Sequence, residues 1–244
     1  MRISLLKTER LRAVCRLLGS CTALADVGCD HGYLSAELIM TGRAERAIAS
    51  DISPVSAAKA ARLAESLGIS DRMTALTADG LDCLNGVEPP YSIAVCGMGG
   101  ELIASIIERG FEAASRAERI VMQPMRGEAE LRRYLFEHDF RIEDERVIRE
   151  GRRFYQVISA VPNRRDMIPE GFPQGWFRFG WVMARRDAEN LMPLLAHYAS
   201  VYKRELSSAE RKGRRPEGIV AELERTEALM RFIEKERAEK HAAE

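Results

Sequence analysis

The sequence predicts an α/β fold: a mainly parallel β-sheet flanked by helices, closed by an antiparallel strand pair and followed by a C-terminal helical hairpin. Three observations predict it. Short apolar runs alternate with helical patterns as far as about residue 138, two strand-like runs then meet at Gly151 with no room for a helix, and beyond residue 162 apolar residues recur at helical spacing. Parallel neighbours need crossover connections, and a βαβα rhythm supplies them.

The elements follow in order. "MRISLLKTERLRAVCRLLGS" interrupts its apolar residues with Lys7, Glu9, Arg10, Arg12 and Arg16, which reads as an amphipathic helix and not as a signal peptide. "TALADV" (22–27) is a strand leading to a helix from about His31 to Thr41. "RAIASD" (46–51) leads to a helix over Pro54–Leu67. "MTALTAD" (73–79) comes next, then "YSIAVCG" (91–97) with a helix over Gly100–Arg109, and "RIVMQP" (119–124) with a helix over Glu128–His138. Uncharged runs such as Ile93, Ala94, Val95 and Cys96 fit strands buried on both faces. "FRIEDERVIREG" (140–151) and "RRFYQVISAVP" (152–162) must then pair as an antiparallel hairpin at a sheet edge.

This plan resembles a Rossmann-like class I S-adenosylmethionine-dependent methyltransferase; a nicotinamide dehydrogenase would continue with parallel units. The domain is expected to span residues 1–162. "PNRRDMIPEGFPQGW" is a proline- and glycine-rich connector opening a second region, 163–244. There the series Leu191, Leu195, Tyr198, Tyr202, Leu206 and Ile219, Leu223, Thr226, Met230, Ile233 flank "KGRRPEG", which predicts a coiled-coil-like antiparallel hairpin.

Composition narrows the class. Formal net charge is zero, so any nucleic-acid signal must be local. The five cysteines show neither CxxC pairs nor zinc-ligand spacing, which predicts reduced intracellular thiols and no metal site. No uncharged run approaches the ~18 residues that cross a bilayer, and a cytoplasmic protein is expected.

"DVGCDHGYL" (26–34) has the form of a strand-to-helix turn, yet it carries charge where a dinucleotide-binding turn carries glycines. Asp26 ends the first strand, Gly28 allows a tight turn, and the next helix is expected to begin near Asp30 and His31. A pyrophosphate there would be repelled by Asp30. S-adenosylmethionine has no phosphate; its ammonium and sulfonium suit aspartates at strand tips, and its carboxylate suits backbone N–H groups. Asp51, some twenty residues past the first glycine, occupies the position that bonds a ribose hydroxyl. Asp79 with Gly80 ends the third strand, where a carboxylate can accept from an adenine amino group. Gly97, Met98, Gly99 and Gly100 end the fourth, where missing side chains let a flat substrate approach. Aspartates also cap helices and turns, and glycines also serve close packing; the argument rests on the set in register.

Taken together, "DVGCDHGYL", "CGMGGELI", "RIVMQP" followed by "LRRYLFEHDFRIEDE", and "EGRRFYQVISAV" resemble the bacterial TrmK family, tRNA adenine-N1 methyltransferases that modify the adenine at tRNA position 22. The resemblance covers most of residues 8–162, and the hairpin resembles the family's C-terminal coiled coil in placement. That family commonly reads alanine and proline where this chain has Gly32 and Ser35. The resemblance implies a tRNA substrate and S-adenosylmethionine as cofactor. It also implies that Asp26, Gly28, Asp30 and His31 line the methionine end, Asp51 the ribose, Asp79 and Gly80 the adenine, and Gly97–Gly100 the reaction edge.

Asp30 is the candidate for stabilising the cationic product, with His31 and Tyr33 as partners for the base; His31 is equally suited to capping the helix start. Lys203, Arg204, Arg211, Lys212, Arg214 and Arg215 face only Glu205 and Glu210, whereas the helix beyond Pro216 is acidic, so the hairpin tip is a candidate phosphate contact. A solvated helix surface explains the same charges as well. Two alternatives stay open: a methyltransferase of this fold acting on another RNA or a small molecule, and a non-enzymatic RNA-binding protein that retains the cofactor fold. No "NPPY"-type tetrapeptide follows the fourth strand, which counts against exocyclic-amino methylases.

Overall fold

A seven-stranded sheet of order β3-β2-β1-β4-β5-β7-β6 fixes where any ligand can enter. Its strands are β1 (Cys21–Val27), β2 (Ala44–Asp51), β3 (Met73–Thr77), β4 (Ser92–Gly99), β5 (Arg119–Arg126), β6 (Arg141–Glu150) and β7 (Arg153–Val161). The computed structural model describes residues 4–165, 173, 176–214 and 216–243, which fall into two compact units, Met1–Asp166 and Met167–Glu244. The first five strands are parallel; β7 runs antiparallel between β5 and β6. β1 pairs with β2 on one side and β4 on the other, so the strand order reverses there and a crevice opens at the carboxyl ends.

Helices α1 (Glu9–Leu18), α2 (Tyr33–Met40) and α3 (Pro54–Leu67) contact one another, and α4 (Gly100–Arg109), α5 (Phe111–Arg116) and α6 (Glu128–Glu137) form a second contacting group. Two helix layers on a sheet bury its central strands on both faces. Ile93, Ala94, Val95, Val121 and Met122 have no exposed surface, which is why their sequence is a run and not an alternation. The α1 helix packs on β5, β6 and β7.

One charged network is sealed inside. Arg132 Nε of α6 donates to Glu145 Oε1 of β6 at 2.6 Å, and its Nη2 donates to Gln156 Oε1 of β7 at 2.6 Å. Both ionic side chains are fully buried. Losing either would strand the other charge at a cost of about 3–5 kcal/mol, so the pair pins the hairpin to the helix.

Three boundaries differ from the sequence expectation. The α2 helix begins at Tyr33 and not at Asp30 or His31, because Asp30 (φ 50°) and Gly32 (φ 72°) sit in the left-handed region and prolong the turn. β3 ends at Thr77, and Asp79 opens a 3₁₀ turn over Gly80–Leu84. β4 runs on to Gly99, with register shifts between Cys96 and Met98 and between Met98 and Gly99, so the glycines form the bulged end of the strand itself. The short α5 had no sequence signal of its own.

The second unit contains a 3₁₀ turn at Trp176–Arg178 and helices α7 (Trp181–Arg186), α8 (Ala188–Glu210) and α9 (Glu217–Ala243). Most of the connector lies outside the described residues. The α8 and α9 helices pack together. Leu191, Leu195, Tyr202, Thr226 and Ile233 are buried as the spacing predicts, but Leu229 is buried where Met230 was expected, and Met230 is only half-buried. The Arg178 guanidinium lies 4.6 Å from the Tyr198 ring centroid and 5.8 Å from that of Tyr202. None of the described helices is long and apolar enough to cross a membrane.

Candidate active site

The turn after β1 is stapled to the tip of β2. The N–H groups of Gly28 and Cys29 donate to Ser50 O at 2.8 and 2.9 Å, and that of Asp30 donates to Asp51 Oδ2 at 3.1 Å. The other oxygen, Asp51 Oδ1, accepts from the Ser53 N–H at 2.9 Å. Asp51 therefore holds two loops together with inward lone pairs and keeps its outward ones for a ligand. Gly28 has φ 71°, and a Cβ there would fall 2.0 Å from Met98 Cε, so glycine lets the Met98 side chain cover the turn. At Gly32 a Cβ would meet Met73 Cε at 2.6 Å and Ala60 Cβ at 2.9 Å. Together with its φ, this crowding explains the glycine.

These turns border a cleft of about 300 Å³ lined by Arg10, Asp26, Asp30, His31, Tyr33 and Gly97, among others. Of the residues singled out from sequence, the cleft thus gathers Asp26, Gly28, Asp30, His31, Tyr33 and Gly97. Asp26 is 4% exposed, and the Ser35 hydroxyl donates to its Oδ2 at 2.9 Å. Burial pushes its carboxyl up to about 6, although the Ser35 bond acts in the opposite direction. Asp30 is the open one. Its carboxylate is 3.5 Å from Lys59 Nζ and 3.6 Å from His31 Nε2, and the His31 ring stacks on Tyr33 at 5.5 Å between centroids. The thiols of Cys29 and Cys96 are raised by burial and then by the Asp26 charge, and stay protonated.

Asp79 and Gly80 do not line this cleft. The Asp79 carboxylate is gripped by Arg109 of α4, with Nη1 at 2.7 Å and Nη2 at 3.2 Å, a partner no sequence spacing indicated. Among the four residues at the tip of β4, the glycines have different causes. A Cβ on Gly100 would fall 1.9 Å from Gly127 O, so backbone packs on backbone there. At Gly97 and Gly99 the nearest atoms would be Arg10 Nη1 at 3.9 Å and Arg126 Nε at 3.8 Å, which leaves room above the strand.

In the second unit, Lys203, Arg204 and Arg211 line a groove of about 890 Å³ along α8 and α9, opposite Glu227 and Glu234. Lys203 Nζ is already met by Glu227 Oε1 at 2.8 Å. Lys212 and Arg214 are exposed in the turn after α8. Arg215 lies outside the described residues.

Sequence reasoning missed Arg10, which reaches the cleft from α1. It also missed Ser35, whose partner is nine residues away on a different element.

Comparison with known proteins agrees with this geometry. The family described as a methyltransferase domain matches residues 7–158. The tRNA (adenine(22)-N(1))-methyltransferase of Bacillus subtilis is 30% identical over 164 residues, covering 67% of this chain and 68% of its own. Among solved structures, the Streptococcus pneumoniae protein Sp1610 in complex with S-adenosyl-L-methionine superposes with a TM-score of 0.78 at 26% identity, covering 92% of this chain and 99% of its own. The B. subtilis M1A22 tRNA methyltransferase TrmK gives a TM-score of 0.74 at 24% identity over 92% and 99% of the two chains, a likeness of fold. With the domain matched across the whole sheet and a relative matched over two thirds of both chains, this chain belongs to the TrmK family of methyltransferases.

Proposed function

We propose that this protein transfers a methyl group from S-adenosylmethionine to N1 of adenine at tRNA position 22. The observation that carries the reading is the cleft at the β1–β4 reversal, where buried Asp26 and open Asp30 face the glycine-lined tip of β4. The cofactor fits these residues. A carboxylate that is buried with only a hydroxyl for a partner suits an ammonium group, and no side chain at Gly97 obstructs the sulfonium end. Asp51 suits the ribose diol, and Asp79, oriented by Arg109, suits the adenine amino group.

When bound, S-adenosylmethionine supplies a sulfonium-activated methyl group, which the in-plane lone pair of adenine N1 accepts as the S–CH₃ electron pair returns to sulfur. Adenine N1 carries no proton, so the chain has no strong base to provide. Its task is positioning, which can lower such a barrier by up to about 7–11 kcal/mol. The turn stapled by Asp51 and the bulged end of β4 are rigid backbone and serve that task. The product base is cationic, and Asp30, exposed at the cleft mouth, suits the stabilisation of that developing charge. The stacked His31 and Tyr33 rings offer a surface for the base.

The target nucleotide must leave its stack to reach the cleft, at a cost of a few kcal/mol. Phosphate contacts by Lys203, Arg204, Arg211, Lys212, Arg214 and Arg215 on the hairpin would offset it. A tRNA substrate also fits a cytoplasmic location. Incubation with unmodified tRNA and labelled cofactor, followed by mapping of the methylated position, tests the assignment. Label at adenine 22 supports it; label at another nucleotide, or none, rejects it.

A further inference from the structure

Among the described residues, Arg10 is a cation without a counter-charge. Its Nη1 donates to Gln123 Oε1 at 2.6 Å and lies 3.5 Å from Met125 Sδ, and its guanidinium stands 5.4 Å from the centroid of the Tyr155 ring. A carboxamide, a thioether and an aromatic face are its side-chain partners among the described residues, and none is anionic. By contrast, Arg109, Arg116, Arg119 and Arg132 each meet a carboxylate. The Arg10 Nε and Nη2 groups have no partner among the described residues.

The position of Arg10 is built. Gln123 is fully buried at the end of β5, and the Arg10 backbone N–H donates to Glu150 Oε1 at 2.8 Å, tying the start of α1 to β6. The guanidinium is thus held opposite Gly97 and lines the same cleft as Asp26. The Cys96 thiol lies under the influence of both. After burial, Asp26 raises it most and Arg10 lowers it. Yet the two charges are not spent on each other, because Asp26 is bonded to Ser35 and Arg10 to Gln123. A cleft that keeps one carboxylate and one guanidinium apart and unpaired is complementary to a zwitterion, since each half-buried charge gains most from an opposite charge brought by the ligand.

We propose that Arg10 takes the carboxylate of the methionyl group of S-adenosylmethionine through its free N–H donors while Asp26 takes the ammonium. The amino-acid end of the donor is then read as a zwitterion. This rests on the methyl-donor reading above. A phosphodiester of the RNA is the other oxyanion of suitable chemistry. The carboxylate is favoured because Arg10 shares the cleft with Asp26, whereas the exposed Arg126 beside Gly99 does not line it.

The test is calorimetric titration of the full chain with S-adenosylmethionine and with its decarboxylated analogue, which keeps the sulfonium, the ammonium and the adenosine. The wild type should bind the analogue about 10- to 100-fold more weakly, as expected for one hydrogen-bonded charge pair. Arg10→Gln should weaken S-adenosylmethionine to the level of the analogue and leave the analogue unchanged; Arg10→Lys should restore part of the preference. Equal affinity of the wild type for the two compounds overturns the proposal without recourse to any variant. So does an Arg10→Gln protein that keeps the preference, or one that binds the donor normally and shows only a raised KM for tRNA, the signature of a phosphate contact. A wild type that binds neither compound overturns the donor reading and this assignment with it.

Discussion

Replacing Ser35 by alanine should shift the pH at which the protein binds its methyl donor. The Ser35 hydroxyl donates to the buried Asp26 carboxylate at 2.9 Å, and Asp26 sits at about 6 because burial outweighs that bond. A hydrogen bond to a charged group contributes about 1.5–3 kcal/mol, and one pKa unit corresponds to about 1.4 kcal/mol. Its loss should therefore raise Asp26 by a further ~1–2 units. In the folded chain Asp26 titrates above its ordinary 3.8, so the fold favours the neutral acid. That stabilisation is complete below the unfolded value and is lost as pH rises through the folded one. Donor binding has the opposite sign, because an ammonium group needs the ionised carboxylate. Affinity should fall about tenfold per pH unit below the folded value. At about pH 6.5, Ser35→Ala should bind S-adenosylmethionine about tenfold more weakly than the wild type, and the two should converge at about pH 9. Calorimetry across this range, with Asp26→Asn as the variant that cannot titrate, reads the shift. Superimposable pH profiles of wild type and Ser35→Ala would refute the reasoning.

Three further outcomes follow from the same geometry. Gly100→Ala forces a methyl group to within 1.9 Å of Gly127 O and should cost about 1–3 kcal/mol or more, seen as a lower thermal midpoint; an unchanged midpoint would show that α4 can shift freely. Asp30→Ala should reduce turnover about 100-fold or more, in the range of losing one preorganised electrostatic partner, and wild-type turnover with unchanged donor affinity would remove Asp30 from catalysis. Arg211→Glu combined with Arg214→Glu should weaken tRNA binding more at low salt than at high and lower the salt-dependence slope by about one for each phosphate no longer neutralised; affinities equal to wild type at every ionic strength would exclude the hairpin tip.

The sheet was legible because its signals are local. Ile93–Val95 are apolar without interruption since the strand is covered on both faces, and Gly151 between two strand-like runs leaves only a hairpin. The displaced start of α2 was not legible: Asp30 adopts a positive φ through the bond between its N–H and Asp51, a residue on the next strand. The cleft shows the same division. Asp26, Gly28 and Asp51 stand out by their spacing from the strand ends. Arg10 does not, because one charged residue in an amphipathic helix acquires its meaning only when that helix packs on β5, β6 and β7 beside Gln123 and Tyr155. Arg109 is hidden likewise, thirty residues from the Asp79 it grips. On the hairpin, helical spacing located the buried seam, but neighbouring Leu229 and Met230 could be ranked only by their packing.

The central claim is that the carboxyl rim of this sheet is charged to receive a sulfonium zwitterion and not a diphosphate. Side-by-side calorimetry of the wild type with S-adenosylmethionine and NAD at neutral pH tests it most directly. Saturable heat with the first and none with the second is the predicted result. No binding of S-adenosylmethionine, or tighter binding of the dinucleotide, would contradict it.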